Sequence, residues 1–329
     1  MILIIGHYGN KNLGDEGMLT VILHFLGRNK VTVLGLNPRN ISAMHGVNAH
    51  SLLSPKALAA VLKADLIVFG GGSILKNRSL LKIWPYMLMA KVLRKKVAFF
   101  GVDVAPLAAP FRKLVKICLE DSALIYVRNR FSRMLLRKYG VERPILTCKD
   151  IAFCLPGILG VGLKGADEDP APKASRTSDF TDKPIVVGLN LRPPLFADPF
   201  NLGALEEEAR KVILNLASKM KVVIHPIVMQ PCDEAVINAF LNGLRNSNII
   251  VNPEKHNYDL KTALELYKKC DLIIGMRYHS LVFAKALNIP FIPLSYAWKT
   301  AMFLREGGDG SDPEIALKIL KGLADSIRR

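Results

Sequence analysis

The sequence predicts an α/β protein of two Rossmann-like domains facing each other across a cleft. Three observations carry this expectation. Short apolar, strand-like runs alternate with helix-like segments along most of the chain, which is the mark of βαβ units and a mainly parallel sheet. Half of the 329 residues are hydrophobic and 22% are charged, an ordinary composition for that class in a chain long enough for two full cores. A stretch over 156–183, rich in Gly, Pro, Asp, Lys and Ser and without apolar periodicity, separates one such series from the next. The expected division is therefore an N-terminal domain over 1–155, a linker over 156–183 and a C-terminal domain over 184–329.

In the first series, apolar runs over 2–5, 31–34, 66–69, 97–100 and 123–127 read as strands. Helix-like segments lie between them, notably over 14–26, 80–93 and 111–119. The second series restarts at 185–189 and continues through 222–225, 249–251, 272–274 and 291–294, again with helices between. Ligands of open parallel sheets sit beyond the carboxyl ends of the strands, so the loops that follow strands are where chemistry is expected.

Composition narrows the function. No charge-free apolar run approaches the roughly 20 residues that span a bilayer. Met1 to Gly6 is too short for a signal-peptide core and reads as the first strand. The expected location is cytoplasmic. Five scattered cysteines, with no Cys-x-x-Cys and no Cys/His cluster, give neither a disulfide framework nor a metal site. The net charge of +17 is concentrated in the first half, at Lys91, Arg94, Lys95 and Lys96, then Arg112, Lys113 and Lys116, then Arg128, Arg130, Arg133, Arg137 and Lys138. Such a field attracts anionic lipid surfaces and other phosphorylated ligands. The 7% of aromatic residues do not interleave with the basic ones, so nucleic acid is not expected as a partner. A solvated basic surface without a partner accounts for the charge as well as peripheral membrane contact does.

The most informative stretch is Gly275-Met276-Arg277-Tyr278-His279-Ser280, between a strand-like run and a helix-like one. A helix start there offers N–H groups and a positive dipole end to an anion. Arg277 adds a planar cationic fork, and His279 a group that carries protons near neutral pH. Taken singly, either residue would serve structure as readily; together they point to an anionic substrate and proton chemistry. After the first strand, Gly6-His7-Tyr8-Gly9-Asn10-Lys11-Asn12-Leu13-Gly14-Asp15-Glu16 fits neither G-x-G-x-x-G nor a phosphate loop. Asp15 and Glu16 at a helix start would repel phosphate, so they suit sugar hydroxyls or a general base, with helix capping by Asp15 the equal alternative. Gly70-Gly71-Gly72-Ser73 can bring backbone close to a ligand or simply turn the chain from strand to helix. Arg128, Arg192 and Lys299 each stand just past a strand-like run, and Lys299 emerges at the same sheet edge as His279.

These segments, in this order, resemble the polysaccharide pyruvyl transferase family. The resemblance rests on Gly9-Asn10 with Gly14-Asp15-Glu16, Gly70 to Ser73, Gly101 with Pro106-Leu107, Arg128 with Ser132, Asp150-Ile151-Ala152-Phe153 and Asn190-Leu191-Arg192. It is most specific from Gly275 through Arg277, His279, Phe283-Ala284 and Ile289-Pro290 to Tyr296 and Lys299. It implies a fold like the B-type glycosyltransferases. It also implies transfer of pyruvate from phosphoenolpyruvate onto two hydroxyls of a sugar or lipid-linked glycan, as a cyclic ketal, with release of phosphate. No cofactor and no metal are implied. On this reading His279 is the acid–base residue, and Asp15 or Glu16 orients or deprotonates the acceptor. Arg128, Arg192, Arg277 and Lys299 gather the anionic donor; Asn10, Gly71, Gly72 and Ser73 complete the substrate site. The N-terminal domain would then be the acceptor side and the C-terminal domain the donor side. Asn77, Asn129 and Ala297 stand where similar proteins often carry aspartate, and Asp103 and Ala105 where small glycines are common, which bears on the acceptor or on activity itself. The rivals are a nucleotide-sugar glycosyltransferase of the same fold and a non-catalytic glycan- or anion-binding relative.

Overall fold

The computed structural model describes residues 1–164, 183–194, 200–252, 258–295, 300, 304 and 312–327. The chain forms two compact units, one of Met1–Leu155 with Met302–Arg329, the other of Pro156–Ala301.

The first unit is built on a parallel sheet of β1 (Ile2–Ile5), β2 (Val31–Gly35), β3 (Asn48–Ser51), β4 (Leu66–Leu75), β5 (Lys96–Val104), β6 (Leu124–Val127) and β7 (Leu146–Thr147). Their order is β3-β2-β1-β4-β5-β6-β7. Helices cover a parallel sheet on both faces, so its central strands are apolar throughout rather than alternating. All four residues of β1 are accordingly buried. The covering helices are α1 (Leu13–Leu26), α2 (Pro38–His45), α3 (Pro55–Lys63), α4 (Asn77–Val92), α5 (Ala109–Glu120) and α6 (Arg130–Lys138). β3 carries no apolar signal because it is an outer strand, with no residue fully buried. It is held instead by register with β2, from Thr32↔Asn48 to Gly35↔Ser51.

The glycine run is not the strand-to-helix turn considered from the sequence. β4 continues through it to Leu75 and stays paired with β5, with a bulge between Gly72 and Leu75. Gly71 and Gly72 have φ of 75° and 78°, the left-handed region that side chains rarely adopt. A Cβ on Gly71 would stand 2.6 Å from the Tyr8 hydroxyl, and one on Gly72 would stand 2.7 Å from Asp15 Oδ1.

In the second unit a short helix α7 (Leu155–Leu159) leads in, and Lys164 Nζ then reaches Asp271 Oδ1 at 2.7 Å. The opening of the expected linker is thus packed onto this unit, while 165–182 lie outside the described residues. The sheet runs β10-β9-β8-β11-β12, all parallel. Its strands are β8 (Ile185–Asn190), β9 (Val222–Pro226), β10 (Ile249–Val251), β11 (Leu272–Gly275) and β12 (Phe291–Pro293). The helices are α8 (Leu202–Ala217), α9 (Asp233–Asn242), α10 (Leu260–Lys269) and α11 (Tyr278–Ala286).

The expected C-terminal domain of 184–329 loses its last segment to the first unit. The final helix, α12 (Pro313–Asp325), buries Ala316, Leu317, Leu320 and Ala324 and lies against α1 and the turn at Ile151–Cys154. An amphipathic helix goes to whichever core offers its apolar stripe a partner, and sequence position alone does not say which. Leu320→Ala removes a fully buried side chain and should cost about 2–5 kcal/mol. Urea unfolding measures the loss, and hydrogen exchange should quicken in β1 and α1 while β8 and β9 keep their protection.

Candidate functional site

In both sheets the strand order reverses next to the first strand of the unit, between β1 and β4 and between β8 and β11. A crevice opens at such a switch point beyond the carboxyl ends of the strands. Of the candidates drawn from the sequence, those on or after β1, β4, β8 and β11 fall at these two places; Arg128 follows β6, and Lys299 lies outside the described residues.

In the first unit, the β1–α1 loop is tied down by buried groups. Tyr8 donates its hydroxyl to the Gly70 carbonyl at 2.7 Å. Burial, and then the carboxylates of Asp15 and Glu16, hold the Tyr8 pKa well above 10, so the phenol stays a donor. Asn12 caps α1 by accepting the Gly14 N–H at 3.1 Å; the cap weighed for Asp15 therefore belongs to Asn12. Glu16 is fully buried. Its Oε1 accepts the Gly9 N–H at 2.7 Å, and its Oε2 lies 3.0 Å from His45 Nε2. A carboxylate used twice inside the fold cannot reach an acceptor hydroxyl, so Glu16 is a positioning residue for the loop and not a base. Asp15 is half-buried against Gly72, and Asn10 on the same loop is exposed.

His7 belongs to the same loop. It sits just past β1, and burial, helped by Lys76 and Lys82, lowers its pKa to about 4. Its imidazole is therefore neutral at pH 7. The only signal for it in the sequence is its place after a strand.

Arg128 is not the anion contact expected of it. Its side chain is 2% exposed and bridges two carboxylates, with Nη1 to Asp150 Oδ2 at 2.9 Å and Nη2 to Asp103 Oδ2 at 3.0 Å. Asp103 also accepts from Ser73 Oγ at 3.0 Å, Asn129 Nδ2 at 2.8 Å and Ser132 Oγ at 3.1 Å. Ser73 is thus engaged within the fold rather than aimed at a substrate. An aspartate at 129 would set a second carboxylate against Asp103; Asn129 instead donates to it and caps α6 by accepting the Ser132 N–H at 2.7 Å. Asn77 accepts from the Ala108 N–H at 3.1 Å.

In the second unit, Asn190 ends β8 fully buried and organises the turn. Its Oδ1 accepts the Arg277 N–H at 3.0 Å and its Nδ2 donates to the Ile227 carbonyl at 2.8 Å. The three strands β8, β9 and β11 are thereby joined at their carboxyl ends. Arg277 precedes the first turn of α11, and its guanidinium grips Asp233 with two nitrogens, Nε donating to Oδ2 at 2.6 Å and Nη2 to Oδ1. Asp233 is fully buried at the start of α9. This partner was missed, because an acid in the first turn of a helix reads from sequence as a helix stabiliser. Arg277 therefore arrives at the turn with its charge already matched.

Arg192 lies 4% exposed beyond β8, with Nε donating to the Pro193 carbonyl at 3.2 Å and its guanidinium over the Phe200 ring at 5.5 Å. His279, 8% exposed, occupies the first turn of α11. Its ring meets Tyr278 edge-on at 5.1 Å and lies 6.3 Å from Phe283. Ser280 beside it accepts the Tyr267 hydroxyl at 3.0 Å. Arg192, Arg277 and His279 are thus brought to one switch point. Lys299, Tyr296 and Ala297 lie outside the described residues. Among the described residues no group of three or more His, Cys, Asp or Glu side chains could hold a metal ion, and no helix is long and apolar enough to cross a membrane.

Solved structures with the same chain path define the class. The UDP-GlcNAc 2-epimerase of Methanocaldococcus jannaschii aligns with 97% of this chain and 91% of its own, at 14% identity and a TM-score of 0.56. A putative UDP-N-acetylglucosamine 2-epimerase of Listeria monocytogenes aligns over 99% and 88%, at 11% identity and a TM-score of 0.56. The S. aureus MnaA–UDP co-structure aligns over 99% and 88%, at 14% identity and 0.52. At such identities the likeness shows the fold, which is the two-domain Rossmann-like α/β class expected from the sequence. The family follows from a separate comparison. The model of the polysaccharide pyruvyl transferase family matches residues 12–297, and the chain belongs to that family. A search of curated proteins finds no match.

Two outcomes follow from this geometry. Arg128→Met leaves Asp103 and Asp150 buried without their cation and should cost about 3–5 kcal/mol; Arg128→Lys should also destabilise, since one ammonium cannot span both carboxylates. Urea denaturation of the two variants checks this. The lowered His7 pKa means that the unfolded chain binds the proton more readily, so stability should be full above the ordinary pKa of 6.5 and fall as pH drops toward 4. His7→Gln should flatten the melting-temperature profile in that window and leave it unchanged above pH 7.

Proposed function

We propose that this chain transfers pyruvate from phosphoenolpyruvate to a sugar of a surface-polysaccharide or cell-wall glycan precursor, as a cyclic ketal. The observation that carries the reading is the gathering of Arg192, Arg277 and His279 at the β8/β11 switch point of a chain that belongs to the polysaccharide pyruvyl transferase family. Phosphoenolpyruvate is an enol phosphate with a carboxylate, so it needs cations and N–H donors on one side and a proton source on the other. Arg192, the first turn of α11 and Lys299 supply the first. Arg277, held by Asp233, fixes the turn.

The chemistry balances with a single acid–base residue. His279 delivers a proton to the methylene carbon, which becomes the methyl group. The central carbon turns electrophilic, and a first sugar hydroxyl adds to it. The C–O bond to phosphate then breaks, phosphate taking its electron pair, and a second hydroxyl adds to the same carbon to close the ketal. One hydroxyl proton restores His279 and the other departs with phosphate. Asp15 of the β1–α1 loop orients the acceptor, with Asn10 and the Gly71-Gly72 backbone as further acceptor contacts. No cofactor enters the scheme. The enzyme is cytoplasmic, and an acceptor carried on a lipid would hold it as a peripheral protein at the inner membrane face.

Calorimetric titration with phosphoenolpyruvate, run beside a uridine diphosphate sugar, tests the donor. Saturable phosphoenolpyruvate binding is expected, weakened by at least about tenfold in Arg192→Ala, the cost of one charged contact. His279→Ala should still bind the donor and lose ketal formation on a glycan acceptor. Nucleotide-sugar binding alone would assign a glycosyltransferase instead, and donor binding without phosphate release across many acceptors would indicate a relative that binds without turnover.

A further inference from the structure

The helices α3 and α4, side by side on one face of the first sheet, carry more apolar surface outward than a solvated layer requires. α4 buries Ser79, Ile83, Tyr86 and Ala90. On its opposite side Leu81, Trp84, Leu88 and Val92 recur at intervals of three and four, which places them on one stripe of a helix. Leu81 is 61% exposed, Val92 73%, Trp84 and Leu88 39% each. The neighbouring α3 adds Leu58 and Leu62, 49% and 55% exposed. Isolated exposed apolar residues need no explanation, whereas a contiguous patch marks a binding surface.

Charge says what binds. Between Leu53 and Leu119 the chain holds twelve Lys and Arg and two acids. Of the acids, Asp103 is buried and Asp65 pairs with the N-terminal amine. Lys82 and Lys91 flank the stripe, with Arg78 at its start and Arg94 and Lys95 at its end. There a slot of about 370 Å³ opens between α4 and α5, floored by Phe69, Met87 and Phe99 and rimmed by Lys91, Arg94 and Lys95, with Lys91 paired to Asp121. A second copy of this chain is a poor occupant, since a two-fold contact would set the same basic rim against itself.

We propose that the α3–α4 face docks on an anionic phospholipid bilayer, with Leu81, Trp84, Leu88 and Val92 entering the interface and the flanking lysines and arginines meeting lipid phosphates. Trp is suited to the boundary between acyl chain and headgroup, and Lys and Arg stems lie along apolar surface while their charges reach out. The inference deepens the peripheral-membrane part of the proposed function; it rests on that reading for its purpose but not for its physics, so it is tested without substrates.

The experiment is sedimentation of the full chain with vesicles of phosphatidylglycerol and phosphatidylcholine, beside vesicles of phosphatidylcholine alone. A Trp298→Phe form makes Trp84 the sole tryptophan reporter. Binding to the anionic vesicles is expected, with a blue shift of Trp84 emission. The triple variant Leu81→Ser, Leu88→Ser, Val92→Ser should bind at least about tenfold more weakly, as should Lys82→Glu combined with Lys63→Glu at the exposed end of α3 beside Leu62, with unchanged circular dichroism and melting temperature. Failure to sediment with anionic vesicles, binding untouched by either variant, or a dimer that the serine variant dissociates would each overturn the proposal. Phosphoenolpyruvate binding is indifferent to all three results.

Discussion

A charge taken out of water must meet an opposite charge or enough hydrogen bonds, and the polar architecture of this protein depends on that requirement. Arg128 meets Asp103 and Asp150, Arg277 meets Asp233, and Glu16 meets His45 and a backbone N–H. Apart from His45, at the end of α2, these groups stand at or near the carboxyl ends of parallel strands, where the apolar sheet stops and loops begin. The pairs fix the loops, and the loops shape the switch points. A polar residue at such a place therefore serves structure first, and only what remains turns outward to a ligand.

That division separates the two units. In the first, the network around Asp103 joins β4, β5, β6 and the start of α6 through Ser73, Arg128, Asn129 and Ser132. Near that edge stand Asp15, against Gly72, and the neutral His7. In the second, Asn190 and Asp233 hold the Arg277 turn while His279 and Arg192 lie beside it. Under the proposed function this turn binds an anion, which needs rigid donors, and buried amide and carboxylate partners supply the rigidity.

The glycine run shows how close the legible and the illegible lie. Its composition announced backbone crowding, and the structure has that crowding, from Tyr8 and Asp15. The same composition could not say whether the chain turned there or ran on, because a glycine with positive φ serves a bulge as well as a turn. β3 was missed for a related reason. Outer strands are held by backbone pairing, which leaves no pattern in the side chains.

The sequence by itself determined the alternation of strands and helices, the two cores, the family, and the turn on which Arg277 and His279 stand. Those features are local: apolar periods, glycine positions and residue order are written in consecutive residues. Tertiary structure alone decided which charges are matched. Asp233 lies 44 residues from Arg277, and Asp150 and Asp103 lie 22 and 25 from Arg128; no local pattern links such partners. It also decided that α12 returns to the first unit, since an apolar stripe specifies that it must be buried without naming the core that buries it. Electrostatic pairing and core choice are interactions between distant segments, and only the folded chain brings those segments together.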